Sequence, residues 1–305
     1  MSALLLEQLL NGVQLGLSLF LMAAGLTLVF GVMGLINLAH GALYMTGAFV
    51  CAWTGALTGS FWVGLGAGVL AAAAAGAVIE LLVIRRLYDR DHLDQVLATF
   101  ALILIFSEAA RAVFGAAPLW LDVPPALAGS VALPGGAAYP VYRLAIIAAG
   151  LAVAAGLYLL IQRTRLGMRI RAGEADREMV GALGVDIATL YTVIFALGAG
   201  LAGLAGAMIG PLQSVQVGMG EPVLILAFVV IVIGGIGSIR GALFGAVLVG
   251  LVDTLGRVFL PAAFALVLEP SAAAGMGAAL ASMLIYVMMA AILAVRPQGL
   301  FPADA

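Results

Sequence analysis

The residues that could do chemistry in this chain are few, and most stand in or beside apolar sequence. His40 and His92 are its only histidines, and neither belongs to an H-E-x-x-H pattern, so no zinc site of that kind is expected. Ser238, in GGIGS, is a conceivable nucleophile with His40 as its base, as in an intramembrane protease. The segment lacks the G-x-S-x-G arrangement that exposes such a serine, so no catalytic residue and no metal site are expected. Carboxylates in apolar segments are the groups an ion-coupled transporter would use. Here Glu108 and Arg111 are spaced i, i+3, and Asp253 and Arg257 are spaced i, i+4, so each pair can neutralise itself on one helix face. Glu80 has no such neighbour and is expected to face a partner helix or the headgroups. Glu221 opens an apolar run, where the positive end of a helix favours an anion.

Two glycine-containing breaks supply the remaining candidates. The first is GVMGLINLAHG, residues 31–41, followed by Ala-Leu-Tyr44; the second is GGIGSIRG, residues 234–241. Polar groups inside a membrane are costly and tend to face cavities. Asn37, His40, Gly41 and Tyr44 are therefore candidates for a translocation pathway, with Gly234, Gly235, Gly237 and Ser238 as their counterparts. The structural alternative is that Asn37 caps the following helix and the glycines permit tight packing. His40-Gly-Ala-Leu-Tyr44 also matches Arg240-Gly-Ala-Leu-Phe244. Paired, glycine-broken segments of this kind point to an internal repeat with a pathway between its halves.

The elements that must position these residues are membrane spans. With 65% hydrophobic and 9% charged residues, and mean hydropathy +1.22, the chain falls outside the soluble class. A span needs about 20 apolar residues, and the sequence offers about eight or nine such windows. The fold expected is an all-α, polytopic transmembrane helical bundle, a single domain over residues 1–305. Re-entrant half-helices are an alternative at either break. Residues 9–31, 62–84, 96–114, 140–161, 191–212, 242–260 and 278–295 read as spans, with shorter apolar segments to about Leu57 and over 223–233. No arginine precedes Arg85, so the first span is expected to be retained rather than cleaved as a signal peptide.

All thirteen basic residues are arginine. A P-loop needs a lysine at the phosphates, so no nucleotide site of the usual kind, and no lysine Schiff base, can exist in this chain. The single cysteine, Cys51, permits no internal disulfide. Arginine collects in cytoplasmic loops. That rule places residues 85–95 and 163–190 inside and the arginine-free, proline- and glycine-rich loop 116–139 outside. The order of spans then places the Arg296 tail inside and, if every apolar window crosses fully, Arg240 inside and the N-terminus outside.

The stretch 163–190 is the longest that cannot sit in lipid. Within it, residues 174–183 read as one short amphipathic helix closed by Gly184. Ala175, Met179, Ala182 and Leu183 form its apolar stripe, and Glu174, Arg177 and Glu178 fall on the other side. Such a helix has something to dock against; the alternative is a solvated surface loop.

Several segments together carry a resemblance: the first half, LLNGVQLGLSLFLMAAGLTLVFGVMGLINLAHGALYMTGAF; the polar stretch, RTRLGMRIRAGEADREMVGALGV; FVVIVIGGIGSIRGALFGAVLVGLVD; and the tail, RPQGLFP. In this order the chain resembles permease subunits of the branched-chain amino acid ABC importers, of the LivH type. The resemblance implies a permease in the bacterial inner (cytoplasmic) membrane, paired with a second related permease. It further implies two cytoplasmic ATPase subunits that hold ATP and Mg, and a periplasmic substrate-binding protein facing loops 116–139 and 213–222. This chain would carry no cofactor and no nucleic acid; its remaining neighbour is membrane lipid. The family's ATPase-coupling helix corresponds to Ala172–Gly184. Translocation by alternating access of a branched-chain amino acid, or of a similar small polar solute such as an amide, urea or an aromatic acid, would follow. Ala42, where the family commonly has an acidic residue after His-Gly, and Glu178, where an asparagine is common, depart from the pattern. An ion-coupled secondary transporter is the alternative function.

Overall fold

A computed structural model describes residues 2–88, 90–134, 136 and 138–301, with side chains from residue 4 onward. Residues 302–305 of the expected tail, position 89 of the first arginine-rich loop and positions 135 and 137 of the proline-rich loop lie outside the described residues. The described chain is helical almost throughout. In order, the helices are α1 (Ser2–Met33), α2 (His40–Thr58), α3 (Phe61–Leu82), α4 (His92–Phe114), α5 (Val141–Arg163), α6 (Arg165–Ala175), α7 (Arg177–Ala182), α8 (Ile187–Ile209), α9 (Gly220–Gly234), α10 (Ile239–Phe264) and α11 (Pro270–Val295). Seven of the described helices (α1, α3, α4, α5, α8, α10 and α11) are long and apolar enough to cross a membrane, so this is a multi-pass membrane protein. The apolar α2 and α9 are shorter, at 19 and 15 residues.

Small residues decide which helices meet. At the centre α1 crosses α8, where Gly25 and Gly198 lie backbone to backbone; a methyl on Gly198 would meet the Gly25 carbonyl at 2.8 Å. Gly12, Gly16 and Gly250 bring α1 equally close to α10, while Gly203 and Gly76 do the same between α8 and α3. Without a hydrophobic drive between helices in lipid, such close backbone approach supplies the packing that holds a bundle together. The outer helices turn large apolar residues outward, such as Leu97, Phe100 and Ile105 of α4 and Met283 and Val287 of α11. In a membrane protein that is the expected lipid or partner face.

These contacts relate α1, α2 and α3 to α8, α9 and α10. The α1–α10 interface answers to the α8–α3 interface, and α2 pairs with α3 as α9 pairs with α10. The internal repeat expected from sequence thus has a counterpart in the packing, but in a different register. The match of residues 40–44 to 240–244 aligns α2 with α10, whereas the packing pairs α2 with α9.

The glycine-rich loop holds one departure from pure helix. Strands β1 (Ser130–Ala132) and β2 (Ala138–Pro140) pair antiparallel, Val131 opposite Tyr139. The preceding strip is tied to the α8–α9 loop, since Leu119 and Val215 exchange both backbone hydrogen bonds at 2.9 Å. The two segments expected to face a binding protein therefore form one surface.

Candidate functional site

Both arginine-rich segments lie at one end of the bundle. Arg85 reaches Thr192 near the start of α8, just beyond α7, at 2.8 Å, and Arg240 shares a cavity with Arg171 of α6. The tail joins them: Leu300 and Phe301 donate backbone hydrogen bonds to the carbonyls of Ile233 and Gly234, at 2.9 and 2.8 Å. Arg111, Arg143 and Arg257 stand toward the other end, on the last turns of α4, the first turn of α5 and the second half of α10.

The stretch 163–190 is more ordered than its composition suggested, and it differs from the single helix expected over 174–183. It forms two helices. Thr164 caps α6, its hydroxyl accepting from the Gly167 N–H at 3.0 Å. Gly167, Ile170 and Gly173 turn inward, at the i, i+3, i+6 spacing of one helix face, and the arginines turn out. Asp176 then takes an extended conformation (φ −158°, ψ 96°), ending α6 and capping α7 by accepting from Glu178 N–H (3.0 Å) and Met179 N–H (2.9 Å). An aspartate that bonds the backbone two and three residues on is a strong N-cap. Gly184, at φ 86°, closes the segment in the left-handed region as expected.

The kink divides the expected stripe. Ala172 stays on α6, and Glu174 and Ala175 line a cavity on the body side. Arg177, Glu178, Met179 and Ala182 belong to α7, and Leu183 follows it. Val180 is the buried anchor of α7, whereas Met179 is 58% and Leu183 77% exposed. With Val180 and the exposed Met168 of α6, Leu183 borders a shallow apolar hollow rimmed by Arg165 and Arg169, and Met179 stands outside that lining. Asp186 then caps α8; the Thr189 hydroxyl and N–H that donate to its carboxylate hold it below the usual carboxylate range.

The root of this segment is pinned by a network that sequence reasoning missed. Glu80 is fully buried, yet it has a partner five residues on. Because α3 ends at Leu82 and a 3₁₀ turn covers Ile84–Leu87, Arg85 and Tyr88 swing back onto it. Arg85 bonds both carboxylate oxygens at 3.2 Å, the Tyr88 hydroxyl donates at 2.5 Å, and the Thr192 hydroxyl donates at 2.6 Å from α8. Burial, and then the bond to Glu80, push the Tyr88 phenol up and keep it a donor. A helix-spacing search stops at i+4, which is why this partner was invisible. The two expected pairs are formed: Arg111 to Glu108 at 2.8 Å and Arg257 to both oxygens of Asp253 at 2.9 Å.

The first break folds the chain back on itself. Gly34 (φ 64°) makes the turn after α1, and α2 begins at His40, whose ring lies against Gly25. Gly25 is eight residues before the end of α1, about 12 Å, so α2 starts partway along α1. Its start meets the start of α9: Gly41 and Gly220 touch backbone to backbone, and a methyl on Gly41 would meet the Gly220 carbonyl at 3.0 Å. Two helix N-termini thus converge in the core, with Glu221 in the first turn of α9. Asn37 and His40 are fully buried beside them, and among the described residues no side-chain nitrogen or oxygen of either has a hydrogen-bond partner. Asn37 therefore does not cap α2 through its side chain, and no Ser238–His40 dyad is formed. Tyr44 packs against Gly206 of α8.

The second break lies elsewhere, at the arginine-rich end. Gly234 abuts Gly241, Gly235 (φ 107°) abuts the Phe301 carbonyl, and Gly237 approaches Gly31. Ser238 caps α10, accepting from Gly241 N–H at 3.1 Å. Gly237 and Ser238 line a cavity of about 1040 Å³ between α1, α5, α6 and α10, whereas Asn37, His40, Gly41, Tyr44, Gly234 and Gly235 do not. The eight pathway candidates are thus divided: Asn37, His40, Gly41 and Tyr44 lie around the start of α2, Gly237 and Ser238 line this cavity, and Gly234 and Gly235 pack against Gly241 and the tail.

Against known proteins, residues 8–293 match the family described as branched-chain amino acid transport system / permease component. The high-affinity branched-chain amino acid transport system permease protein BraD of Pseudomonas aeruginosa is 31% identical over 265 residues, covering 82% of this chain and 86% of that protein. The corresponding protein LivH of Escherichia coli strain K12 is 28% identical over 272 residues, covering 84% and 87%. A fructose import permease protein, FrcC of Rhizobium meliloti, is 36% identical over 101 residues, but covers only 31% of this chain and 28% of that protein.

Proposed function

The chain belongs to the family of permease components of branched-chain amino acid transport systems, and we propose that it is the translocating subunit of an ATP-driven importer for branched-chain amino acids. The observation that carries this reading is the α7 surface. Met179 and Leu183 stand exposed on a capped helix whose root is fixed by the Glu80 network. Apolar residues held rigidly at an arginine-rich, lipid-excluded end need a protein to cover them. The chain has no lysine with which to build a P-loop, so the covering partner is the source of energy: a pair of cytoplasmic ATPase subunits that hold ATP and Mg.

The mechanism follows from the connections. Movement of the ATPases would be delivered at Met179 and Leu183 and passed by α7 into α8, whose first turns are tied to α3 through Thr192, Arg85 and Glu80. Helix α8 crosses α1 at Gly198, so a tilt there changes the packing around the α2–α9 junction. This is alternating access with the glycine crossings as bearings. A second permease would cover part of the outer helices, and a periplasmic binding protein would meet the surface made by loops 116–139 and 213–222. The multi-pass chain would sit in the bacterial inner membrane. The pairing of Glu80, Glu108 and Asp253 with arginines speaks against the ion-coupled alternative, which needs carboxylates free to exchange protons or sodium.

Reconstituted vesicles test this. Leucine uptake should require the ATPase subunits, ATP and the binding protein, and an imposed proton or sodium gradient should not replace ATP. Accumulation by this chain alone on an ion gradient would overturn the proposal.

A further inference from the structure

We infer that the cavity at the arginine-rich end is a binding site for a small zwitterion with an apolar side chain, an aliphatic α-amino acid, entered from the side on which α6 and α7 lie. Its walls carry one group for each part of such a molecule. Arg240 is the cation: its guanidinium rests on the Tyr158 ring, 5.4 Å from the centroid, at the start of the 26-residue helix α10, where the positive helix end adds to its pull on a carboxylate. The other arginine of the cavity, Arg171, is engaged with the Ile161 carbonyl. Glu174 is the anion. A methyl on Gly31 would meet Gly237 at 3.1 Å and the Glu174 Oε1 at 3.6 Å, so this carboxylate faces the same break that leads into Arg240. Among the described residues neither Glu174 nor Arg240 forms an ion pair, although both line one cavity.

Phe20, Leu28 and Leu243 supply the apolar wall. Thr27 lines the same cavity, 1% exposed, and its buried hydroxyl has no partner among the described residues. A buried hydroxyl without a partner costs about 1–3 kcal/mol, a cost that a polar ligand atom removes. The volume, about 1040 Å³, is at the upper end of small-ligand sites and holds an amino acid with water to spare. A ligand here bridges α10 to α6, the helix that leads into α7. The site is distinct from the docking surface, and it rests on the transport reading only in placing this end on the side where solute leaves.

The test uses the full chain in lipid nanodiscs with its co-purified ATPase subunits and without any binding protein. Radiolabelled L-leucine is the probe, with 4-methylpentanoate (no ammonium) and 3-methylbutylamine (no carboxylate) as competitors. Arg240→Gln and Glu174→Gln should each weaken leucine binding about tenfold or more, the loss of one charge-assisted hydrogen bond. In Glu174→Gln, 4-methylpentanoate should bind as well as leucine; in Arg240→Gln, 3-methylbutylamine should. A packing defect would not produce that exchange of preference. Leucine binding unchanged in both variants, absent from the parent, or lost together with that of both analogues in folded variants overturns the inference. Met179→Asp with Leu183→Asp should shed the ATPases and keep leucine binding, so failure of the site and failure of the docking surface are told apart.

Discussion

Removing Arg85 tests how the root of the docking segment is held. Glu80 is enclosed (0% exposed), while Arg85 is 38% exposed, so Arg85→Ala strands a buried carboxylate. Breaking a buried pair from one side costs about 3–5 kcal/mol. Here Tyr88 and Thr192 still donate to Glu80, which brings the expected loss to about 2–3 kcal/mol. At about 2–4 °C per kcal/mol for a chain of this size, the unfolding temperature should fall by about 4–12 °C. The double variant Glu80→Gln/Arg85→Ala removes the charge that was stranded, and should recover about 1 kcal/mol or more of that loss. Cys51, the single cysteine and buried, provides the signal. A thiol-reactive dye reports unfolding in detergent without an added label, with all variants compared at one scan rate because such unfolding is irreversible. A double variant less stable than Arg85→Ala, or an Arg85→Ala with no shift, would refute the argument that a buried, paired carboxylate holds α3 to α8.

Three further outcomes follow from the same geometry. Gly220→Ala places a methyl on the Gly41 carbonyl, a backbone atom that cannot yield, so it should destabilise by about 1–3 kcal/mol or more. Gly66→Ala on α3, with nothing near, should be neutral or gain about 0.5–1 kcal/mol; the same dye assay compares them. Asp176→Ala deletes the two capping bonds of α7 and should cost that helix about 1 kcal/mol, seen as faster amide hydrogen exchange at Glu178 and Met179. Glu108→Gln and Asp253→Asn should leave ATP-dependent leucine uptake per folded molecule unchanged, whereas an ion-coupled transporter would lose its coupling.

Much of this fold is written in one-dimensional hydropathy. All nine apolar windows became helices because lipid leaves the backbone no other way to satisfy itself within one segment. Arginine placement grouped both loops and the tail, which the fold brings to one end of the bundle. What lay beyond reach was geometry that sequence spacing does not encode. The expected helix began at Glu174, or at Ala172 by the resemblance, yet three inward positions, Gly167, Ile170 and Gly173, belong to a helix that starts at Arg165. Asp176 lay within the single helix expected over 174–183, where spacing does not mark it as the cap that splits α6 from α7. Glu80 finds Arg85 only because a 3₁₀ turn intervenes. The match of His40–Tyr44 to Arg240–Phe244 drew the repeat into a register that the packing does not follow, since alanine, glycine and leucine recur at every helix crossing. Sequence draws attention to both breaks, but only the fold reveals that one closes on the start of α9 and the other opens on a cavity.

The measurement that bears most directly on the transport account is co-purification of the tagged chain from its native host in mild detergent, beside a variant with Met179→Asp and Leu183→Asp. Both side chains are exposed, so the variant should fold and keep its second permease. The account predicts that the ATPase subunits accompany the parent and are lost from the variant. A parent recovered without ATPases yet still transporting, or a variant that retains them in full, would contradict it.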